Sequence, residues 1–404
     1  MKKGKSIFLE NRKNLKDKRY KKRMKKAGVF LLTAVMLAGV LSGCGNAESS
    51  DSGNRSGGSS SENGRSESNT TVKILLAKES LCLGVVHFAI ENGYFDEEFG
   101  NIGQKYEIVE GEVSQTADLV ATGQVNAAYG LTASYMEPIS NGLNIVFTTG
   151  LHRGCTKFYA KPDSGIETVA DLKGKTVGVP SLSDSSTLNI KRKIADAGLD
   201  VVSAKPDVEF VAYAMTDLPV ALENGAIDAI GLHDPVATTA EEDFGFKKFL
   251  DTGEDEKFAH EYCCQAFVSA ELIEKNPEGA AAYTRAMQKA AAYIQALPYE
   301  AAQIQVDKKY ITGNPKHNGL ILDSLNFTPS VSLGQQTFKD AFTDLQKIGI
   351  LSDALDAEEF YQKATVNLDG VPDGYIYHPD TKEFTETTKE QNMVSGMTVA
   401  SNRI

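Results

Sequence analysis

No tryptophan occurs in the 404 residues, so any aromatic contact to a ligand must come from tyrosine, phenylalanine or histidine. Histidine is itself scarce, at six. The chain lacks a phosphate-cradling glycine loop with its lysine, and it lacks zinc-protease and serine-hydrolase signatures. It is read as a non-enzyme that needs no cofactor. Long apolar runs are also missing. The one uncharged stretch of note, residues 27–43, has 17 residues, short of the about 20 that span a bilayer as a helix. Positive charge is short outside the N-terminus. The formal charge is −12, and residues 1–43 hold 13 Lys/Arg against two acidic residues, which leaves −23 from Cys44 onward. Nucleic acid rewards basic patches, so it is excluded as a partner. The ligand's own charge stays open, because a pocket can differ from the whole surface.

What is present begins with Leu41-Ser42-Gly43-Cys44. A basic segment, a short apolar run and two small residues precede a cysteine in the order of a bacterial lipoprotein signal. Cleavage before Cys44 and lipid on its thiol would tie the protein to the outer face of the cell membrane. The alternative is an uncleaved anchor. Residues 44–71 are mostly Ser, Gly, Asn, Glu and Arg without apolar periodicity, and read as a flexible tether. Folding starts near Val72. About 300 residues follow, enough for two lobes. Four further cysteines, Cys82, Cys155, Cys263 and Cys264, permit two disulfides in three pairings.

From Val72 the pattern alternates between short apolar runs and helical periodicity, the signature of parallel sheets covered by helices. Strands are predicted at 72–76, 127–129, 143–149 and 176–179. Helices are predicted at 83–92, 114–122, 185–197, 279–297, 333–348 and 356–363. Residues 119–128 and 221–230 echo one another, each reading as helix, glycine cap, strand. The simplest account is two lobes of like design. After Gly370 the chain is polar and reads as irregular.

Several segments carry a resemblance: Glu91-Asn92-Gly93-Tyr94-Phe95, residues 118–129, Val169-Ala170-Asp171-Leu172-Lys173-Gly174-Lys175 running into Thr176-Val177-Gly178-Val179-Pro180, and residues 225–230 followed by His233-Asp234-Pro235. In these the chain resembles the nitrate/sulfonate/taurine substrate-binding proteins of ABC importers, whose relatives bind thiamine pyrimidine precursors. The resemblance implies an α/β, periplasmic-binding-protein-like fold, with two lobes joined by two crossing strands around a ligand cleft. Lobe one would comprise 72–155 plus 265–370, lobe two 156–264, and 371–404 a polar tail. It also implies a monomer that delivers a small polar, anionic organic solute to a permease and ATPase. Alternatives are a pyrimidine-precursor binder, a surface protein binding metal or thiols, and an enzyme like the fungal relatives of this fold that make a thiamine pyrimidine. Many relatives carry an aromatic where His233 stands.

In such sheets ligands sit beyond the carboxyl ends of strands, at helix N-termini. The candidate contacts are Ser80, Thr132, Ser134, Ser181, Ser183, Ser185, Ser186, Thr187, His233 and Asp234. The hydroxyls otherwise cap helices, and His233 otherwise pairs with Asp234. His152 and Cys155 fall where the first crossing should begin, Cys263 and Cys264 where the second should return. A disulfide from Cys155 to Cys263 or Cys264 is one expectation. A soft-metal site of His152, Cys155 and Cys263 is the other, and Cys82 would be able to join either.

Overall fold

The computed structural model describes residues 70–78 and 80–392. The signal, Cys44 and nearly all of the tether lie outside the described residues. Two five-stranded sheets organise the chain. In the first, β1 (Val72–Leu76), β2 (Tyr106–Glu110), β3 (Ala127–Leu131), β4 (Ile145–His152) and β10 (Cys264–Ser269) lie in the order β2-β1-β3-β10-β4. In the second, β5 (Thr156–Ala160), β6 (Thr176–Val179), β7 (Glu209–Ala212), β8 (Ala229–His233) and β9 (Lys247–Asp251) lie in the order β7-β6-β8-β5-β9. Each sheet has three parallel strands followed by an antiparallel pair: β10 runs against β3 and β4, and β5 runs against β8 and β9.

Successive strand residues point to opposite faces, and both faces of both sheets are covered. Ile74 and Leu76 enter one core of the first sheet, Leu75 the other. Val177 and Val179 enter one core of the second sheet, Ile230 and Leu232 the other. Such two-sided burial explains the nearly continuous apolar strands. The long helix Pro277–Ala296 packs on the first sheet. Asn276 caps it by accepting from the Gly279 N–H, and Pro277 opens it where no N–H is needed.

The echo corresponds to equivalent elements. Helices Thr116–Ala121 and Leu218–Glu223 each end in a left-handed glycine, Gly123 at φ 69° and Gly225 at φ 72°. Each then feeds the central strand of its sheet, β3 or β8. The region after Gly370 departs from expectation. Residues predicted as an irregular polar tail include an antiparallel hairpin, β11 (Gly374–His378) and β12 (Glu383–Thr387). Its Phe384 meets Tyr94 and its Tyr377 meets Tyr293, which anchors it on lobe one, while Tyr375 and Tyr377 both pack on Phe384. Among the described residues, no helix is long and apolar enough to cross a membrane.

Candidate functional site

The chain passes between sheets twice. The first crossing is the turn between β4 and β5, at residues 153–155; the second is residues 252–263, between β9 and β10. They run in contact. Gly154 adopts φ 87°, and a Cβ on it would stand 3.0 Å from the Cα of Gly253. Only glycine suits that conformation at that separation.

This proximity gathers the cysteines at the floor of the cleft. Cys155 Sγ lies 3.0 Å from Cys263 Sγ, and Cys263 Sγ lies 3.2 Å from His152 Nδ1. Donor atoms of His152, Cys155, Cys263 and Cys264 all fall within 4.8 Å of one another. Register places Cys264 opposite both Leu131 and His152. Cys82 arrives from the loop after β1, its thiol 3.7 Å from the Asp234 carbonyl. All four are buried free thiols. Hydrogen bonds from Cys263, Cys264, Cys82 and His233 hold the Cys155 thiol well below its ordinary range, against the effect of burial. Burial first, then the hydrogen bond to Cys155, pushes Cys263 and Cys264 up. Cys82 rises chiefly through its bond to Cys155. The cluster thus favours one thiolate shared among several donors.

A charged group stands beside it. His233, at the end of β8, places Nε2 2.7 Å from Asp184 Oδ1 and Nδ1 2.9 Å from Thr156 Oγ1, with Cys155 Sγ at 4.0 Å. Burial opposes protonation of His233, but the Asp184 carboxylate outweighs it and holds the ring well above its ordinary range. Burial likewise opposes ionisation of Asp184, and His233 prevails. His233 therefore pairs with Asp184, not with the neighbouring Asp234. Asp234 binds Lys157 Nζ at 2.6 Å and accepts from the N–H and hydroxyl of Thr238.

Between the lobes lies a cavity of about 20 Å³, lined by Thr132 and Ala133 of lobe one, Ser185 and Arg192 of lobe two, and Glu261 and Cys263 of the second crossing, among others. That holds about one water molecule. Thr132 is committed to the second crossing: its N–H donates to the Cys263 carbonyl and its hydroxyl to the Tyr262 carbonyl, both at 2.9 Å. The hydroxyls of Ser185 and Ser134 are buried without a partner. Ser186 donates through its N–H and hydroxyl to Asp184, and the Thr187 hydroxyl to the Ser181 carbonyl. Ser183 is exposed, Ser181 is half-buried, and Ser80 is half-buried in the loop after β1. Of the candidates, then, Thr132 and Ser185 share the cavity. Asp184 already caps the helix Ser185–Asp196 that was expected to offer free N–H groups.

Arg192 escaped the sequence reading. On the same helix, it faces one acid of the second crossing and one of lobe one. Nη1 and Nη2 donate to Glu261 at 2.7 and 2.6 Å, and Nε donates to Asp344 at 2.9 Å, so every guanidinium nitrogen has an acidic partner. Asp344 belongs to the lobe-one helix Val331–Lys347. Lys257, which also pairs with Asp344 and Asp196, extends the network.

Two α/β lobes on paired crossings, closing over a cleft, define the periplasmic-binding-protein fold. The periplasmic aliphatic sulphonate binding protein of Escherichia coli superposes with a TM-score of 0.59 at 16% identity, covering 74% of this chain and 94% of its own. The periplasmic nitrate-binding protein of Synechocystis gives 0.59 at 14% identity, over 73% and 86%. The alkanesulfonate-binding protein of Xanthomonas axonopodis, bound to MOPS, gives 0.58 at 13% identity, over 74% and 98%. Identities this low speak to fold alone. No curated protein matches the chain in sequence. The chain belongs to the NMT1/THI5 like family, whose model matches residues 84–301.

Proposed function

We propose that this protein is a lipid-anchored, extracytoplasmic solute-binding protein that hands a small polar solute to the permease and ATPase of an ABC importer. The observation that carries the reading is the Ser185 hydroxyl, buried without a partner in a cavity whose opposite wall is the other lobe. An unpaired buried donor is costly, and a solute oxygen in the cleft supplies its acceptor. The solute class that fits is an organic oxyanion such as a sulfonate, as named for the relatives above. Parting the lobes separates Arg192 from Asp344, which enlarges the cavity and turns the Arg192 Nε–H toward that anion while Glu261 keeps the other two nitrogens. The task needs no reacting group.

Calorimetry of the full-length chain in detergent against sulfonates, nitrate, taurine and pyrimidine precursors tests the reading. One compound should bind, and Ser185→Ala should weaken it by about 1–3 kcal/mol. Binding of none, or of one indifferent to Ser185→Ala, moves the site elsewhere. Anchoring is tested by Cys44→Ser, which should abolish membrane retention; a variant that fractionates like the parent rejects the lipid.

A further inference from the structure

We propose that His152, Cys155, Cys263 and Cys264 form a closed site for a thiophilic d¹⁰ metal ion, of which Zn²⁺ is the reference case. This site lies beside the solute cavity and is separate in chemistry from it.

The donor set is three thiols and one imidazole, the composition of tetrahedral zinc sites. The spacing suits it. A tetrahedral ion with bonds of about 2.0–2.3 Å spreads its ligand atoms about 3.3–3.8 Å apart. Here all four donors already fall within 4.8 Å, with Cys155 to Cys263 at 3.0 Å and Cys263 to His152 Nδ1 at 3.2 Å. Only tenths of an ångström to about one ångström of adjustment separate this cluster from a coordination shell. No carboxylate competes for the role. Among the described residues the donor group contains no Asp or Glu, and Asp184 and Asp234 are engaged by His233 and Lys157, so the site offers nothing to Ca²⁺ or Mg²⁺, which require oxygen ligands.

His152 adds a second, independent observation. The ring is fully buried, its Nε2 has no hydrogen-bond partner, and its Nδ1 is aimed at the thiols. A buried imidazole with one nitrogen unpaired and a thiol as its only side-chain partner is poorly stabilised by hydrogen bonding. A metal bond at Nδ1 replaces this weak thiol contact with a coordinate bond and fixes the ring proton on Nε2. The thiols release their protons as the ion enters, and the ion takes their lone pairs. The four ligands come from the end of β4, both crossings and the start of β10, so the bound ion ties the two crossings together. Cys82 is not required, because the four others complete the shell.

Co²⁺ serves as a spectroscopic stand-in. The full-length chain, purified in detergent, reduced and held anaerobically, is titrated with Co²⁺ and then with Zn²⁺. The expected result is one Co²⁺ per chain, with near-ultraviolet thiolate charge-transfer bands and the intense visible bands of tetrahedral cobalt, bleached by one equivalent of Zn²⁺. Cys155→Ser and Cys263→Ser should each abolish the thiolate-rich tetrahedral Co²⁺ spectrum, because each removes a ligand, while Cys82→Ser retains the spectrum. Circular dichroism of each variant separates loss of the site from loss of the fold. If a variant fails to fold, protection of the parent's thiols by Zn²⁺ against a thiol reagent reads the same site. Absence of charge-transfer bands in the folded, reduced parent overturns the proposal, as does a spectrum that survives in Cys155→Ser/Cys263→Ser. Solute calorimetry on the same preparation fails or succeeds independently of these readouts.

Discussion

The two lobes share one plan and divide the chemistry. Each central strand follows a helix stopped by a left-handed glycine, and β3 aligns with β8 residue for residue through the echo. At the exit of β3 stand Leu131 and Thr132; at the matching positions after the echo, β8 presents His233 and Asp234. Lobe one meets the cleft with an apolar side chain and a hydroxyl bonded to backbone. Lobe two meets it with two buried charges, each held by an opposite charge, Asp184 or Lys157. The shared backbone shows that the scaffold does not fix what the strand ends carry. The polar partners must be supplied separately, from the helix cap Asp184 and from the crossing-side strand β5.

The comparison is broken most severely at the charged side. Arg192→Met strips Glu261 and Asp344 of their common partner and should cost about 3–5 kcal/mol in denaturant unfolding, the usual penalty for a buried charge left alone. A loss below 1 kcal/mol would mean that the two acids find other partners. Next comes His233→Leu, which gives lobe two the residue of lobe one. It leaves Asp184 without its 2.7 Å partner and should destabilise by about 1–3 kcal/mol. Adding Asp184→Asn should recover part of that loss in a double-mutant cycle, and strict additivity would argue against the pair. On the neutral side, Thr132→Val removes one hydroxyl bond to the Tyr262 carbonyl and should cost only about 0.5–1.5 kcal/mol. Ser185→Ala should be smallest, within about 0.5 kcal/mol of the parent, because its hydroxyl bonds nothing in the closed protein. A large loss there would reveal a structural partner for Ser185.

Much of this architecture was legible in the sequence. The buried strands β1, β3, β6 and β8 stood out as apolar runs, and the helix Ser185–Asp196 nearly matched its predicted span. Of the strands that the apolar pattern did not reveal, β2, β7 and β9 are sheet edges, whereas β5 and β10 lie inside their sheets, each directly after a crossing. Edge strands carry charged residues such as the exposed Glu107 and Glu209 and the half-exposed Lys248, which protect an open edge but erase the apolar signal. The C-terminal hairpin was hidden for the same reason. In the cleft, the gathering of Cys155 with Cys263 followed from placing both on crossings. Arg192 did not, because its acids lie 69 and 152 residues away. A lone arginine on an amphipathic helix reads as a solvated face.

The contact of Gly154 with Gly253 sets the mechanics of the whole. With no side chain between them, the two crossings touch at one point, like the pin of a clasp. Rotation about a pin moves each atom in proportion to its distance from it. The rims of the cleft would sweep the longest arcs, whereas Cys155 and Cys263, 3.0 Å apart beside the pin, would move least. A methyl group at Gly154 would act as a shim, setting the angle at which the clasp rests.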